Sequence, residues 1–262
     1  MFKKIVGSIS FKGLLGLMAL FILALFVSII YHLPVSWLLA QPSVQSQLPD
    51  SVTLSPSSGT VWQGRTHVST PQPVGNLSWE LSFWALLVGQ ASIDLQWQKE
   101  QSHLSGALNV PLFSEAGTRS MRDLNGQIDL PLLIQLLNAP GLNNLPIEGV
   151  LRLKQIDLSV DFQDPWPEVF TGHLILNKLN VLGNTFPKIL ITPKLNGDQL
   201  IFTIKGEEPG WTLSGNLKVL KNRQYTMNLT VNAETQASMP GWAGLLHQQS
   251  PTVAVLNHRG RW

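Results

Sequence analysis

The sequence predicts a mainly β protein: an irregular antiparallel meander forming a curved, twisted sheet with one or two short helices, preceded by one N-terminal transmembrane helix. The first observation behind this is a phrase written six times, an apolar residue, a spacer, glycine, a spacer, then apolar residues two and four places on. The copies are Leu87-x-Gly89-x-Ala91-x-Ile93, Leu104-x-Gly106-x-Leu108-x-Val110, Leu124-x-Gly126-x-Ile128-x-Leu130, Ile147-x-Gly149-x-Leu151-x-Leu153, Phe170-x-Gly172-x-Leu174-x-Leu176 and Leu213-x-Gly215-x-Leu217-x-Val219. Period-two alternation marks a strand with one face buried and one wet. At 44% apolar residues, chance supplies roughly two such matches, so six are a pattern. The second observation is Asn196-Gly197 between Ile189–Leu195 and Gln199–Lys205, the strongest hairpin signal in the chain. The third is the N-terminus, where Gly13–Tyr31 runs nineteen residues without a charge.

That segment follows Lys3, Lys4 and Lys12 and is long enough to span a bilayer. The best cleavage candidate, Leu38-Leu39-Ala40, has a bulky leucine where a small residue is needed, so the reading is a retained anchor rather than a signal peptide. All three flanking charges precede it and no acid occurs before Asp50, which leaves the N-terminus in the cytoplasm and everything after His32 translocated. The expected organisation is a cytoplasmic tail (1–12), a transmembrane anchor (13–32), an extended linker (33–57) rich in Pro, Ser and Gln, and a translocated β domain (58–262).

Along that domain Ser58–Arg65 opens the order and Gly75–Leu81 alternates as a strand. Phe83-Trp84-Ala85-Leu86-Leu87 is too continuously apolar for a half-exposed strand and reads as one helical turn leading into the strand Gln90–Gln98. Pro131 to Leu137 reads as a second such insertion, with proline suited to a first helical turn. A unit of about twenty residues accommodates two strands and a connection, and its variability argues against a strict solenoid. Leu195-Asn196-Gly197 is a degraded copy inside the one double-length gap. A seventh match, Met239-x-Gly241-x-Ala243-x-Leu245, lies in a Pro/Gly/Trp stretch without β-branched residues and is not expected to be a strand.

Composition narrows the chemistry. Beyond the anchor 15 Lys and Arg face 16 Asp and Glu, a balance without the concentrated basic face that nucleic acid requires. No cysteine occurs, which removes thiol catalysis, disulfides and a lipid-modified cysteine together. The histidines, His32, His67, His103, His173, His247 and His258, are scattered without metal-ligand spacing. Asp157, Asp161 and Asp164 cluster, and a strand places Asp157, Ser159 and Asp161 on one face, where a carboxylate pair for acid–base work is conceivable but a solvated face is the simpler reading. There is no Gly-x-Ser-x-Gly, phosphate loop or dinucleotide fingerprint, so no catalytic residue, cofactor or metal site is assigned. Trp62, Trp79, Trp84 and Trp97 read as core of the first strands, with an exposed groove for a lipid chain or a partner strand as the alternative, and Trp37 as an interfacial residue beside the anchor.

The anchor, the motif Gly59-Thr60-Val61-Trp62-Gln63-Gly64 some thirty residues after it, the Leu77-Ser78-Trp79 strand, the Leu86-Leu87-x-Gly89 step and the later glycine-led strands at Gly106, Gly126, Gly149, Gly172 and Gly215 together resemble the type II secretion system protein N family. Gly-Thr-x-Trp-x-Gly carries most of the specificity. The likeness covers nearly the whole chain and weakens from Ala237 to Trp262, where the family tends to close with another glycine-led strand and Thr252–Leu256 is only a short one. The resemblance implies an accessory, non-enzymatic inner-membrane component of the general secretory apparatus, facing the periplasm and partnered by other secretion components of the inner-membrane assembly or outer-membrane channel. It also implies kinship with AsmA-type repeated-β proteins, associated with lipid transfer, so acyl-chain binding is the alternative to partner binding.

Overall fold

In the computed structural model the described residues are 20–22, 24, 25, 28, 29, 31–41, 53–69, 73–113, 117–136, 146–161, 163, 164 and 166–261. The strands are β1 (Thr53–Gly59), β2 (Gln63–Ser69), β3 (Pro73–Leu81), β4 (Gln90–Lys99), β5 (Ser102–Pro111), β6 (Thr118–Asp129), β7 (Ile147–Asp161), β8 (Pro167–Val181), β9 (Asn184–Thr185), β10 (Ile189–Asn196), β11 (Gln199–Glu208), β12 (Trp211–Leu220), β13 (Gln224–Ala233), β14 (His247–Ser250) and β15 (Val253–Arg261). They form one open, antiparallel, 15-stranded sheet in which chain neighbours are sheet neighbours, except that the two-residue β9 pairs only with β8 and β14 folds outside β15 to make the last edge. The expected meander is what the chain builds.

Both expected insertions are short helices, α2 (Phe83–Leu87) and α3 (Leu130–Leu136), and a further one, α1 (Val35–Leu39), lies just beyond the apolar segment. Ser82 caps α2 through its side chain. The stretch expected as spacer therefore contains α1 at one end and the start of β1 at the other. Most of the anchor 13–32 lies outside the described residues, and among those described no helix is long and apolar enough to cross a membrane. Gly241–Leu245, set aside as a strand, is a 3-10 helix. The hairpin at Asn196-Gly197 forms with Gly197 and Asp198 as its two loop residues, since Asn196 pairs with Gln199.

The glycines do not lead their strands. Gly89 precedes β4, but Gly106, Gly126, Gly172 and Gly215 stand well inside β5, β6, β8 and β12, and Gly149 is third in β7. The strands reach further upstream through polar residues that carry no apolar alternation, as in the Thr118-Arg119-Ser120 start of β6. Several glycines instead face a bulge in a neighbouring strand. The β5–β6 register slips between Ser105 and Ala107, opposite Asp123 and Leu124, and the β7–β8 register slips at Gly149 and again opposite Gly172. Bulges add local twist and bend a strand. They concentrate in the pairings β5 to β8, whereas the registers of β10 through β13 and β15 run without interruption.

Register turns the alternation into a surface. One row, Thr66, Leu77, Trp97, Leu104, Gly126, Leu153, Leu174, Ile191, Ile204, Gly215, Leu229 and Leu256, runs in direct pairing across twelve strands. The adjoining row on the other face begins Ser58, Arg65, Ser78, Gln96 and Ser105. One face is thus apolar and the other polar. The apolar face is fully buried mainly in its C-terminal half, where Ile189, Leu213, Val231 and Ala254 pack under Trp242 and Ala243 of the 3-10 helix. There the Trp242 ring lies 4.7 Å from Phe186 and 5.5 Å from Trp211, centroid to centroid. In the N-terminal half Ile93, Leu95, Leu104, Leu108, Leu151 and Leu153 stay half-buried.

Candidate interaction surface

The sheet has two ends. At one, the β1–β2 turn, the α2 connection and the β5–β6 loop come together; here Val61 N–H donates to the Leu33 carbonyl at 3.0 Å and Pro34 bridges Thr60, so the residues following the apolar segment are fastened to this end. Val35 of α1 is buried there. This end is called proximal. At the distal end α3 and the 236–245 segment fold inward, with Leu130 Cδ1 lying over the Gly149 backbone on the apolar face.

The Gly59–Gly64 motif is the joint of the proximal end. Gly59 pairs with Gly64, Thr60 N–H donates to the Gln63 carbonyl at 2.8 Å, and the Thr60 hydroxyl accepts from Gln63 N–H at 3.3 Å, closing a four-residue turn. Gly59 has φ +100°, and a side chain on Gly64 would meet the Trp79 ring at 2.5 Å. Trp79 lies over Gly64 and donates from Nε1 to the Val61 carbonyl at 3.2 Å, while the Trp62 ring packs edge-on to Phe83 of α2 at 5.5 Å. Gly59, Thr60, Gln63 and Gly64 thus close the turn through backbone contacts, with Trp79 covering it. Trp79→Phe loses both the donor and the indole atoms that cover Gly64, so it should lower the unfolding free energy by about 1 kcal/mol or more in thermal denaturation.

The aspartate cluster has structural employment. Asp123 in the β6 bulge takes a positive φ of 50° and its N–H donates to Asp157 Oδ1 at 2.8 Å; Gln155 in the β7 bulge, at φ 51°, donates to Asn125 Oδ1 at 2.9 Å. Asn125 Nδ2 closes the chain of bonds on Asp123 Oδ1 at 2.7 Å. Asp157 therefore latches one bulge, and Asp161 accepts from Gln163 N–H at 2.7 Å. Asp157→Ala should lower the melting temperature by the equivalent of about 1 kcal/mol. Asp164 accepts from Lys221 and from Trp166 N–H, which ties the β7–β8 and β12–β13 loops. The Lys221 hydrogen bond lowers the Asp164 pKa, and the Asp164 hydrogen bond raises that of Lys221. Asp164's contribution is thus present above its unfolded pKa and lost as pH falls through the lowered value; that of Lys221 is present below its unfolded pKa and lost as pH rises through the raised one. The contact stands across neutral pH.

His67, His173 and His258 bond to Asn76, Thr192 and Tyr225, respectively, and the described residues contain no group of three His, Asp or Glu able to hold a metal. Of the tryptophans expected in the core, Trp79 and Trp97 lie against the apolar face, Trp62 is half-buried, and Trp84 is 76% exposed. The tryptophan buried in the core cluster is Trp242, in the stretch whose only sequence signal was a glycine phrase without β-branched residues.

A family model described as type II secretion system (T2SS), protein N, matches residues 50–248. The chain belongs to this family. The match runs from just before β1 into β14 and so contains the Gly59–Gly64 joint and all of the apolar row except Leu256. Beyond it β15, expected as the short Thr252–Leu256, is nine residues long and pairs with β13 from end to end. Searches among curated proteins and solved structures give no match. Membership of the protein N family makes the chain a component of the type II secretion system, among secretion accessories not known as enzymes.

Proposed function

We propose that the chain is a non-enzymatic accessory component of the type II secretion system, held in the inner membrane by residues 13–32 with its N-terminus cytoplasmic and its sheet periplasmic. It supports export of folded proteins from the periplasm across the outer membrane by binding another component of the system. The observation that carries this reading is the apolar row across twelve strands, half-open over β3 to β8 and flanked by edges at β1 and β14 that have no further strand among the described residues. Such a face accepts an apolar segment, and such an edge accepts a strand. Deleting the gene should reduce secretion of type II substrates, and the full chain should restore it. The protein should sediment with inner membrane, and a periplasm-dependent reporter fused after Trp262 should be active; unchanged secretion in the deletion strain overturns the proposal.

The half-exposed leucines also suit a second reading, an AsmA-like module whose face holds acyl chains. A buried methylene contributes about 0.8 kcal/mol, so a lipid carrier retains phospholipid through purification. Residues 33–262 purified without detergent should carry little lipid by mass spectrometry if partner binding is the role, and stoichiometric phospholipid together with normal secretion in the deletion strain favours the second reading.

A further inference from the structure

We infer that the proximal end of the sheet is a membrane-docking surface, seated in the interface of the same bilayer that residues 13–32 cross; this rests on the single-pass reading above. The observations are the side chains left outside. On α2 and the turn after it Trp84 is 76% and Val88 75% exposed, with Leu87 beside them, and Phe113 at the end of β5 is 88% exposed. They form one patch, because the Phe113 ring lies against Gly89 and Leu112 N–H donates to the Gly89 carbonyl at 2.9 Å. The distal insertions turn Leu130 and Trp242 inward, whereas α2 has no buried residue at all.

The occupant follows from the chain path. Tyr31 ends the uncharged segment, and Leu33, two residues on, is bonded to Val61. Two residues reach at most about 7 Å, so this end of the sheet cannot stand away from the membrane surface. Residues 83–89 and 112–113 include no Asp or Glu; of the acids at this end, Glu115 follows in sequence between β5 and β6, and Asp164 and Asp198 stand in the β7–β8 and β10–β11 turns, several strands away. Aromatic and aliphatic side chains without acid, held at that height, match the interfacial region of a bilayer, where Trp is enriched. Docked in this way, the strands run away from the membrane surface and the apolar face over β3 to β8 stays free for its partner.

The chain has no cysteine, so single labels are clean. Full-length Trp84→Cys, Val88→Cys, Phe113→Cys and, as the distal control, Glu100→Cys are labelled with an environment-sensitive fluorophore and reconstituted in vesicles of phosphatidylethanolamine and phosphatidylglycerol. Flotation after carbonate washing reports the anchor alone. The expected result is blue-shifted emission at 84, 88 and 113, quenched at least twofold by shallow nitroxide-labelled lipid, with position 100 unquenched. Protein that floats while the three labels quench no more than position 100 overturns the docking surface and leaves the anchor standing, as does a blue shift without lipid quenching, which assigns the patch to a protein contact. Protein that fails to float overturns the anchor and the docking surface with it.

Discussion

Replacing Gly172 with valine should lower the unfolding free energy by about 3 kcal/mol or more, the sum of a strained backbone and a forced contact. Gly172 has φ +106°, and a Cβ there would stand 2.3 Å from the Gln155 carbonyl oxygen and 2.9 Å from Ile156 Cα. Those atoms are backbone of the β7 bulge, which cannot swing aside as a side chain can. Gly126→Val should behave alike, with φ +137° and the His103 carbonyl oxygen at 2.1 Å. Gly106→Val sets the scale: its backbone is ordinary extended β and its nearest neighbour, Leu124 Cα, is at 3.1 Å, so the loss should be nearer 1 kcal/mol. Thermal or denaturant unfolding of the three variants checks the order. Gly172→Val melting with Gly106→Val would mean that the bulges yield easily and do not shape the sheet.

The second large effect lies at the other half. Trp242→Ala should cost about 3–5 kcal/mol, as removal of a buried aromatic does, because Trp242 joins Phe186, Trp211 and the Val231–Ala254 floor into one cluster. Trp242→Phe should cost much less. The indole Nε1 is buried without a hydrogen-bond partner, so the phenyl ring gives up area but no bond and relieves an unpaired donor. The pair of variants distinguishes packing from polar anchoring. Equal losses for alanine and phenylalanine would contradict the assignment of this ring as an apolar plug.

The strands legible in the sequence are those whose inward residues repeat at period two, and the two helical insertions are legible because Phe83–Leu87 is too continuously apolar for that period and Pro131–Leu137 opens on a proline suited to a first helical turn. The bulges were not legible. They are set by Asp123, Gln155 and Lys178, ordinary residues at positive φ that no local signal distinguishes from strand. Part of what stabilises them, Asp157 on Asp123 and Asn125 on Gln155, acts across some thirty residues of chain. Strand starts were missed for a related reason: where both faces are polar, as in Thr118–Ser120, apolar alternation is silent although the ladder continues. Of the candidate surface, each strand's apolar face could be read alone. That twelve of them align into one row depends on register, which single strands do not encode. The Gly59–Gly64 motif was recognisable as a signature, but its task, fastening the chain after residue 32 to the first hairpin, needed the Leu33 to Val61 bond.

Under the proposed function the half-open apolar face over β3 to β8 receives another component of the secretion system. The most direct measurement is photo-crosslinking in secreting cells, with a benzoylphenylalanine residue placed at Leu95 or at Leu153 on that face and at Gln96 on the polar face as the control. Protein adducts that contain a type II secretion component are expected from positions 95 and 153, and none from position 96. Adducts with phospholipid alone from the apolar positions, or identical protein adducts from all three, would contradict the proposed function.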